Sequence, residues 1–118
     1  MTSLAKVSWL VGMALLGSCG ARDCHPGDLS PATMAQAERQ GTELRHLLAV
    51  FEKFHGSYPV TLDQLGVGAE ITRMPCGTTW TYTPASNGAS YLLRLGDYGR
   101  NGFLLEWNDR NSTWQWDT

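Results

Sequence analysis

The stretch Ser30-Pro31-Ala-Thr-Met34-Ala-Gln-Ala37-Glu-Arg-Gln-Gly41-Thr-Glu-Leu44-Arg-His-Leu-Leu48-Ala-Val-Phe51-Glu-Lys-Phe-His55-Gly56 decides the fold. Met34, Ala37, Gly41, Leu44, Leu48, Phe51 and His55 follow one another at steps of three and four, the spacing that keeps side chains on one face of an α-helix. Leu47, Val50 and Phe54 widen this stripe towards its end. Ser30 suits the N-cap, and Pro31 suits the first helical position, where its missing N–H would have no helical partner anyway. Gly56 supplies the stop. At 1.5 Å per residue, a helix over 31–55 runs about 37 Å, so its first turns are expected to project beyond the core of a small domain. Gly41 on the stripe either weakens the helix by about 1 kcal/mol or lets a strand or an aromatic ring approach closely.

Downstream, Gly56-Ser57-Tyr58-Pro59 reads as a turn whose proline prevents the helix from continuing. Thr61-Leu-Asp-Gln64-Leu65 has the order of a capping box and predicts one short helical turn. Gly66, Gly68, Pro75 and Gly77 punctuate the next stretch as loop. From residue 79 the apolar period changes to two. Trp80 and Tyr82, then Tyr91, Leu93 and Leu95, then Phe103, Leu105 and Trp107, then Trp114 and Trp116 mark four short strands. The connections Pro84–Ala89, Gly96–Asn101 and Asn108–Asn111 are short and rich in Gly, Asn and Asp, which favours antiparallel neighbours. The fold class is therefore α+β: one long N-terminal helix packed on a four-stranded antiparallel meander.

Upstream, Lys6 is followed by an apolar run over 7–16 and by Gly17-Ser18-Cys19. A charged start, a short apolar stretch and small residues read as a signal peptide over 1–18, too short for a stable membrane span. Leu16-Gly17-Ser18-Cys19 looks like a lipobox, the bacterial signal for attaching diacylglycerol to a cysteine and cleaving just before it. The resemblance implies lipidation at Cys19 and a membrane attachment; the other reading is an ordinary signal peptide cut near Ala21. Gly20 stands where an inner-membrane retention signal carries Asp, so the resemblance implies an outer-membrane lipoprotein facing the periplasm. Residues 19–30 read as the lipidated cysteine and a polar tether, leaving 31–118 as the domain.

The 118 residues leave room for one core, and 42% hydrophobic with 17% charged residues is ordinary for a folded domain. The net charge of −2 gives no indication of a nucleic-acid partner. Assigning Cys19 to lipid leaves Cys24 and Cys76, an even pair that predicts a disulfide in an oxidising compartment, with a free or metal-binding pair as the alternative. Such a bridge would stabilise the fold by roughly 3–4 kcal/mol through loop closure. His25, His46 and His55 stand at no catalytic or zinc-binding spacing, and no nucleophile elbow or phosphate loop occurs, so no enzyme is expected. Trp80 and Trp107 are expected in the core. Trp114 and Trp116 belong either there or on the uncovered sheet face, where they would join Tyr98 and Arg100 in a partner-binding patch.

The order of elements, with Phe54-His-Gly56-Ser-Tyr58-Pro59-Val-Thr-Leu62-Asp-Gln-Leu65 and the strand-to-loop phrase Tyr91-Leu92-Leu93-Arg94-Leu95-Gly96-Asp97-Tyr98-Gly99-Arg100-Asn101-Gly102, resembles type II secretion major pseudopilins and related type IV pilin-like proteins. The likeness covers roughly 31–107 and implies a pilin-like head. Major pseudopilins bind calcium late in the chain, which makes Asp97, Asn101 and Asp109 candidate ligands; as plain chemistry, Asp97, Gly99, Asn101 and Gly102 are also turn formers. The chain departs from the family where a lipobox and a polar tether replace the prepilin cleavage motif and the continuous apolar helix. A filament subunit is therefore not implied.

Two functions follow as expectations. The first is a non-catalytic envelope lipoprotein that binds a protein partner as an assembly module, with secretion or pilus machinery as its setting. The second is an inhibitor or immunity lipoprotein that plugs a toxin or lytic enzyme with loops such as Gly96–Gly102.

Overall fold

The computed structural model describes residues 23–118; the expected signal peptide and Cys19 lie outside them. Helix α1 spans Pro31–His55, as its spacing predicts. Ser30 Oγ accepts the Thr33 N–H at 3.2 Å, and Gly56 ends the helix at φ 83°, donating its N–H to Glu52 O at 2.8 Å. Ala37, Gly41, Leu44 and Leu48 are buried, while Pro31, Ala32 and His55 at the two ends are exposed. The helix therefore overhangs the core, as its length requires.

Strands β1 (Trp80–Pro84), β2 (Tyr91–Asp97), β3 (Phe103–Asn108) and β4 (Thr113–Asp117) form one sheet in chain order, each antiparallel to the next. The register aligns Trp80 with Leu95, Leu95 with Leu105, and Leu105 with Trp116, a single row across all four strands. Alternate residues share a sheet face, so this row, Tyr82 with Leu93, and Trp107 with Trp114 all lie on the side that α1 covers. Leu44, Leu48, Leu95, Phe103 and Leu105 have no exposed surface and make the centre of the core.

All four strand tryptophans belong to this covered face. Those of β4 are not on the open one. Each indole N–H of three of them is taken by a helix residue: Trp80 donates to Gln40 Oε1 (3.2 Å), Trp114 to Thr42 Oγ1 (3.0 Å) and Trp116 to Glu38 Oε2 (2.8 Å). A large apolar ring whose single donor is satisfied carries little penalty for burial. Gly41 makes the arrangement possible, because a Cβ there would overlap the rings of Trp114 and Trp80.

Two segments differ from the expectation. The stretch over 66–77 is not all loop: α2 spans Ala69–Thr72, and the buried Gln40 donates through Nε2 to Glu70 O (3.2 Å) and Arg73 O (2.8 Å). These two bonds satisfy carbonyls that so short a helix leaves free. The segment 96–101 is likewise not an open connection. β2 continues through Asp97, and α3 (Tyr98–Asn101) follows, capped by Asp97 accepting the Gly99 N–H at 2.7 Å and closed by Gly102 at φ 78°.

The described part of the segment read as a tether is pinned at Cys24 by the expected disulfide. Cys24 has no exposed surface and is joined to Cys76, 52 residues away, with 5.2 Å between their Cα atoms. Its N–H donates to Thr78 Oγ1 (2.8 Å), and the buried Asn101 donates through Nδ2 to Cys24 O (2.9 Å) and Thr78 Oγ1 (3.1 Å). A buried backbone needs such partners, and here side chains from β3's approach and β1's approach provide them. Pro26–Asp28 then forms one 3₁₀ turn leading to Ser30. No helix among the described residues is long and apolar enough to cross a membrane.

Candidate binding pocket

The sheet has two ends. One holds Cys24, Asp97 and α3; the other holds the start of β2 at Tyr91, the end of β3 at Asn108 and the Gly56–Pro59 turn that follows α1. A seven-residue strand places them roughly 20 Å apart. We call them the tether end and the distal end.

A cleft of about 230 Å³ opens at the distal end, lined chiefly by Arg45, Tyr58, Ser90, Tyr91, Trp107 and Asp109. Its walls follow from the core. Gly41 admits Trp114, whose ring meets Trp107 edge-on with centroids 5.2 Å apart. Trp107 in turn supports Arg45 of α1, whose guanidinium carbon lies 3.9 Å from the ring centroid. Across the cleft, Tyr58 meets Tyr91 edge-on at 4.8 Å, and Tyr82 braces the turn by donating its hydroxyl to Pro59 O at 2.6 Å. The Tyr58 N–H donates to Gly88 O (3.0 Å), tying that turn to the β1–β2 connection.

The electrostatics are those of a supported cation among phenols. Burial pushes the Tyr91 phenol above its ordinary 10.0, and the adjacent Arg45 only partly offsets that by favouring the phenolate. Tyr82 is raised by burial as well, then by Tyr91 and Tyr58. Both are neutral hydroxyls at neutral pH. Asp109 comes within 3.8 Å of Arg45, but its side chain is 92% exposed, so water screens the pair.

A second, more open hollow lies on the uncovered face at the tether end, beside Asp23, Thr78, Arg94, Asp97, Tyr98 and Arg100. Of its arginines, Arg94 is engaged, its Nε binding Glu106 at 2.9 Å, while Arg100 is an exposed side chain paired loosely with Asp23 at 3.6 Å and resting on no aromatic ring among the described residues.

The expected site residues are therefore divided between the ends and faces. Tyr98 and Arg100 sit together on α3, whereas Trp114 and Trp116 lie on the opposite face beneath α1, so the four do not form one patch. Asp97 and Asn101 are at the tether end, and Asp109 lies past the far end of β3. These three do not converge, and the Asn101 amide is already committed to Cys24 and Thr78. Among the described residues no group of three or more His, Cys, Asp and Glu side chains is arranged to hold a metal ion. The pair Cys24 and Cys76 is joined, and Cys19 lies outside the described residues. Arg45 and Tyr91 were not singled out by the sequence as site residues. Arg45 follows Leu44 on the helix, and only the register Trp107–Trp114 reveals which ring it covers.

The chain matches no family model, no curated protein and no solved structure.

Proposed function

We propose that this chain is a lipid-anchored, non-catalytic binding or assembly module of the bacterial envelope, held at Cys19 and facing the periplasm from the outer membrane. The observation that carries the reading is the bracing of Cys24 to one end of the sheet while the Arg45 cleft opens at the other. Cys24 follows Cys19 by five residues, which span at most roughly 18 Å when fully extended. A lipid at Cys19 would keep the tether end at the membrane and turn the distal cleft towards the periplasm.

The order of long helix then antiparallel meander supports a pilin-like head, and the lipobox-like phrase stands where a pilin carries its polymerising helix. We therefore read a single anchored head that meets an envelope protein, with secretion or pilus machinery as the setting. At 96–102 the chain closes into the single short turn of α3, with Asn101 buried and Tyr98 and Arg100 exposed, rather than extending as a long loop. This favours a docking module over an inhibitor that plugs a toxin or lytic enzyme.

The test is fractionation of cells making the full chain or Cys19→Ser, followed by affinity purification of the anchored protein with mass spectrometry. Wild type should sediment with membranes and incorporate labelled palmitate, and Cys19→Ser should do neither. Membrane retention of Cys19→Ser would overturn the anchor, and recovery of no envelope partner would overturn the docking role.

A further inference from the structure

We propose that the distal cleft binds a carboxylate of a partner polypeptide, at its chain end or on a Glu or Asp side chain, with Arg45 as the recognition residue. The ligand class deepens the docking role and rests on it. The guanidinium carbon lies over the Trp107 ring, and Tyr91 is the phenol beside it, which takes up only part of a fork of five N–H donors. Among the described residues, Asp109 is the carboxylate paired with Arg45, and at 3.8 Å it is beyond hydrogen-bonding distance. Arg45 is thus an oriented, partly buried cation, its side chain 31% exposed, without a close carboxylate partner. A planar carboxylate matches the fork of a guanidinium in both geometry and charge.

The surroundings narrow the ligand. A cleft of about 230 Å³ is below the usual size for a drug-like molecule and suits one amino-acid residue. Tyr58 and Leu93 give that residue an apolar wall, the Tyr91 phenol lies beside the charge, and Ser90 completes the lining. Asp109 at the rim opposes a dianion, so a phosphate fits worse than a carboxylate. A sugar fits worse too, because Arg45 already covers one face of Trp107 and Trp114 packs edge-on against the ring.

The test is a titration of the ¹⁵N-labelled full chain in detergent, read at the Trp107 indole N–H resonance. The probes are N-acetyl-glycyl-phenylalanine as free acid, the same dipeptide as its amide, and N-acetyl-glutamate amide. At least one free carboxylate should shift the signal saturably, and removing that carboxylate should weaken binding tenfold or more. A stronger response to the chain-terminal acid assigns the chain end, and a stronger response to the glutamate probe assigns a side chain. Arg45→Gln should lose the response tenfold or more while the Trp80, Trp114 and Trp116 indole resonances stay in place, which separates lost recognition from lost folding. The proposal is overturned by equal binding of acid and amide, by an unchanged response in Arg45→Gln, or by no saturable shift with either acid. Saturable binding of glucuronate where both peptide acids fail also overturns it. The titration requires neither membrane nor partner, so its failure leaves the Cys19 anchor standing, and failure of the anchor leaves the titration unaffected.

Discussion

The tether end and the distal end of the sheet use polar groups in opposite ways. Around Cys24 at the tether end the buried polar groups face one another: Thr78 and Asn101 satisfy the backbone of Cys24, and the disulfide fixes it in place. At the distal end Arg45 rests on an aromatic ring with only a loose, exposed counter-charge, and Phe54 and Val60 stand 76% and 74% exposed nearby in sequence. The buried centre of one end is closed by covalent and hydrogen bonds; the other leaves a supported cation and apolar groups at its surface. Surface that is left unsatisfied in a small domain is surface that another molecule can satisfy.

The sharpest way to test this contrast is to break the closed end. Cys24→Ser with Cys76→Ser should cost roughly 3–4 kcal/mol, seen as a lower midpoint in denaturant melts of the full chain. Reduction of the wild type should reproduce the loss. If it does not, the tether end is not where stability is concentrated.

Gly41→Ala strikes between the ends. On an open helix face this change would stabilise by up to about 1 kcal/mol, but the added methyl overlaps Trp114 and Trp80 and should instead destabilise by about 1–2 kcal/mol. The sign alone decides whether the notch matters. Near-ultraviolet circular dichroism should report the displaced tryptophans even where the loss of stability is small.

Alkaline pH addresses the distal end. The Tyr82 and Tyr91 phenols titrate above 10.0 in the folded protein, so folding holds their protons more tightly than the unfolded chain does. Their contribution is complete below pH 10 and is lost as pH rises through the folded values. Tyr91→Phe should remove its share and flatten the fall in stability above pH 10, measured by denaturant midpoints across that range. The smallest effect is expected from Arg45→Gln, which should change stability by less than about 1 kcal/mol, since one cation–π contact at the rim of a cleft and a screened ion pair contribute little. A larger loss would mean that Arg45 belongs to the framework rather than to an open site.

How much of this was legible in the chain depends on how local each signal is. Ser30, Pro31 and Gly56 act on their own neighbours, and the helix they bound is found at Pro31–His55. The alternation through Trp80, Tyr91, Phe103 and Trp114 fixed the strands, because sheet pleating has a period of two whatever the partner. Gln40 escaped notice, since a glutamine on a helix stripe carries no mark of the Trp80 donor and the Glu70 and Arg73 carbonyls that satisfy it from 30 or more residues away. The two faces of β4 could not be distinguished for the same reason. Trp114 and Trp116 share a face by spacing, but only their register against Trp107 and Leu105 decides which one. The site was less legible than the fold: Arg45, Tyr58, Tyr91 and Trp107 come from four separate segments and converge only once the meander has been paired.

The turn that pairs the last two strands has a further consequence. Asn108 accepts the N–H groups of Arg110 (2.9 Å) and Asn111 (3.2 Å) through one oxygen, and its amide nitrogen donates across the hairpin to Gln115 (3.0 Å). Because side chains alternate, a slip of β4 by a single residue would turn Trp114 and Trp116 out to water and draw Gln115 in. A hairpin in that state would be a sticky edge, prone to self-association before the chain finds its native pairing. One asparagine thus holds the turn with its oxygen and the strand across from it with its nitrogen, and the bond to Gln115 ties the turn to the alignment that keeps both tryptophans inside.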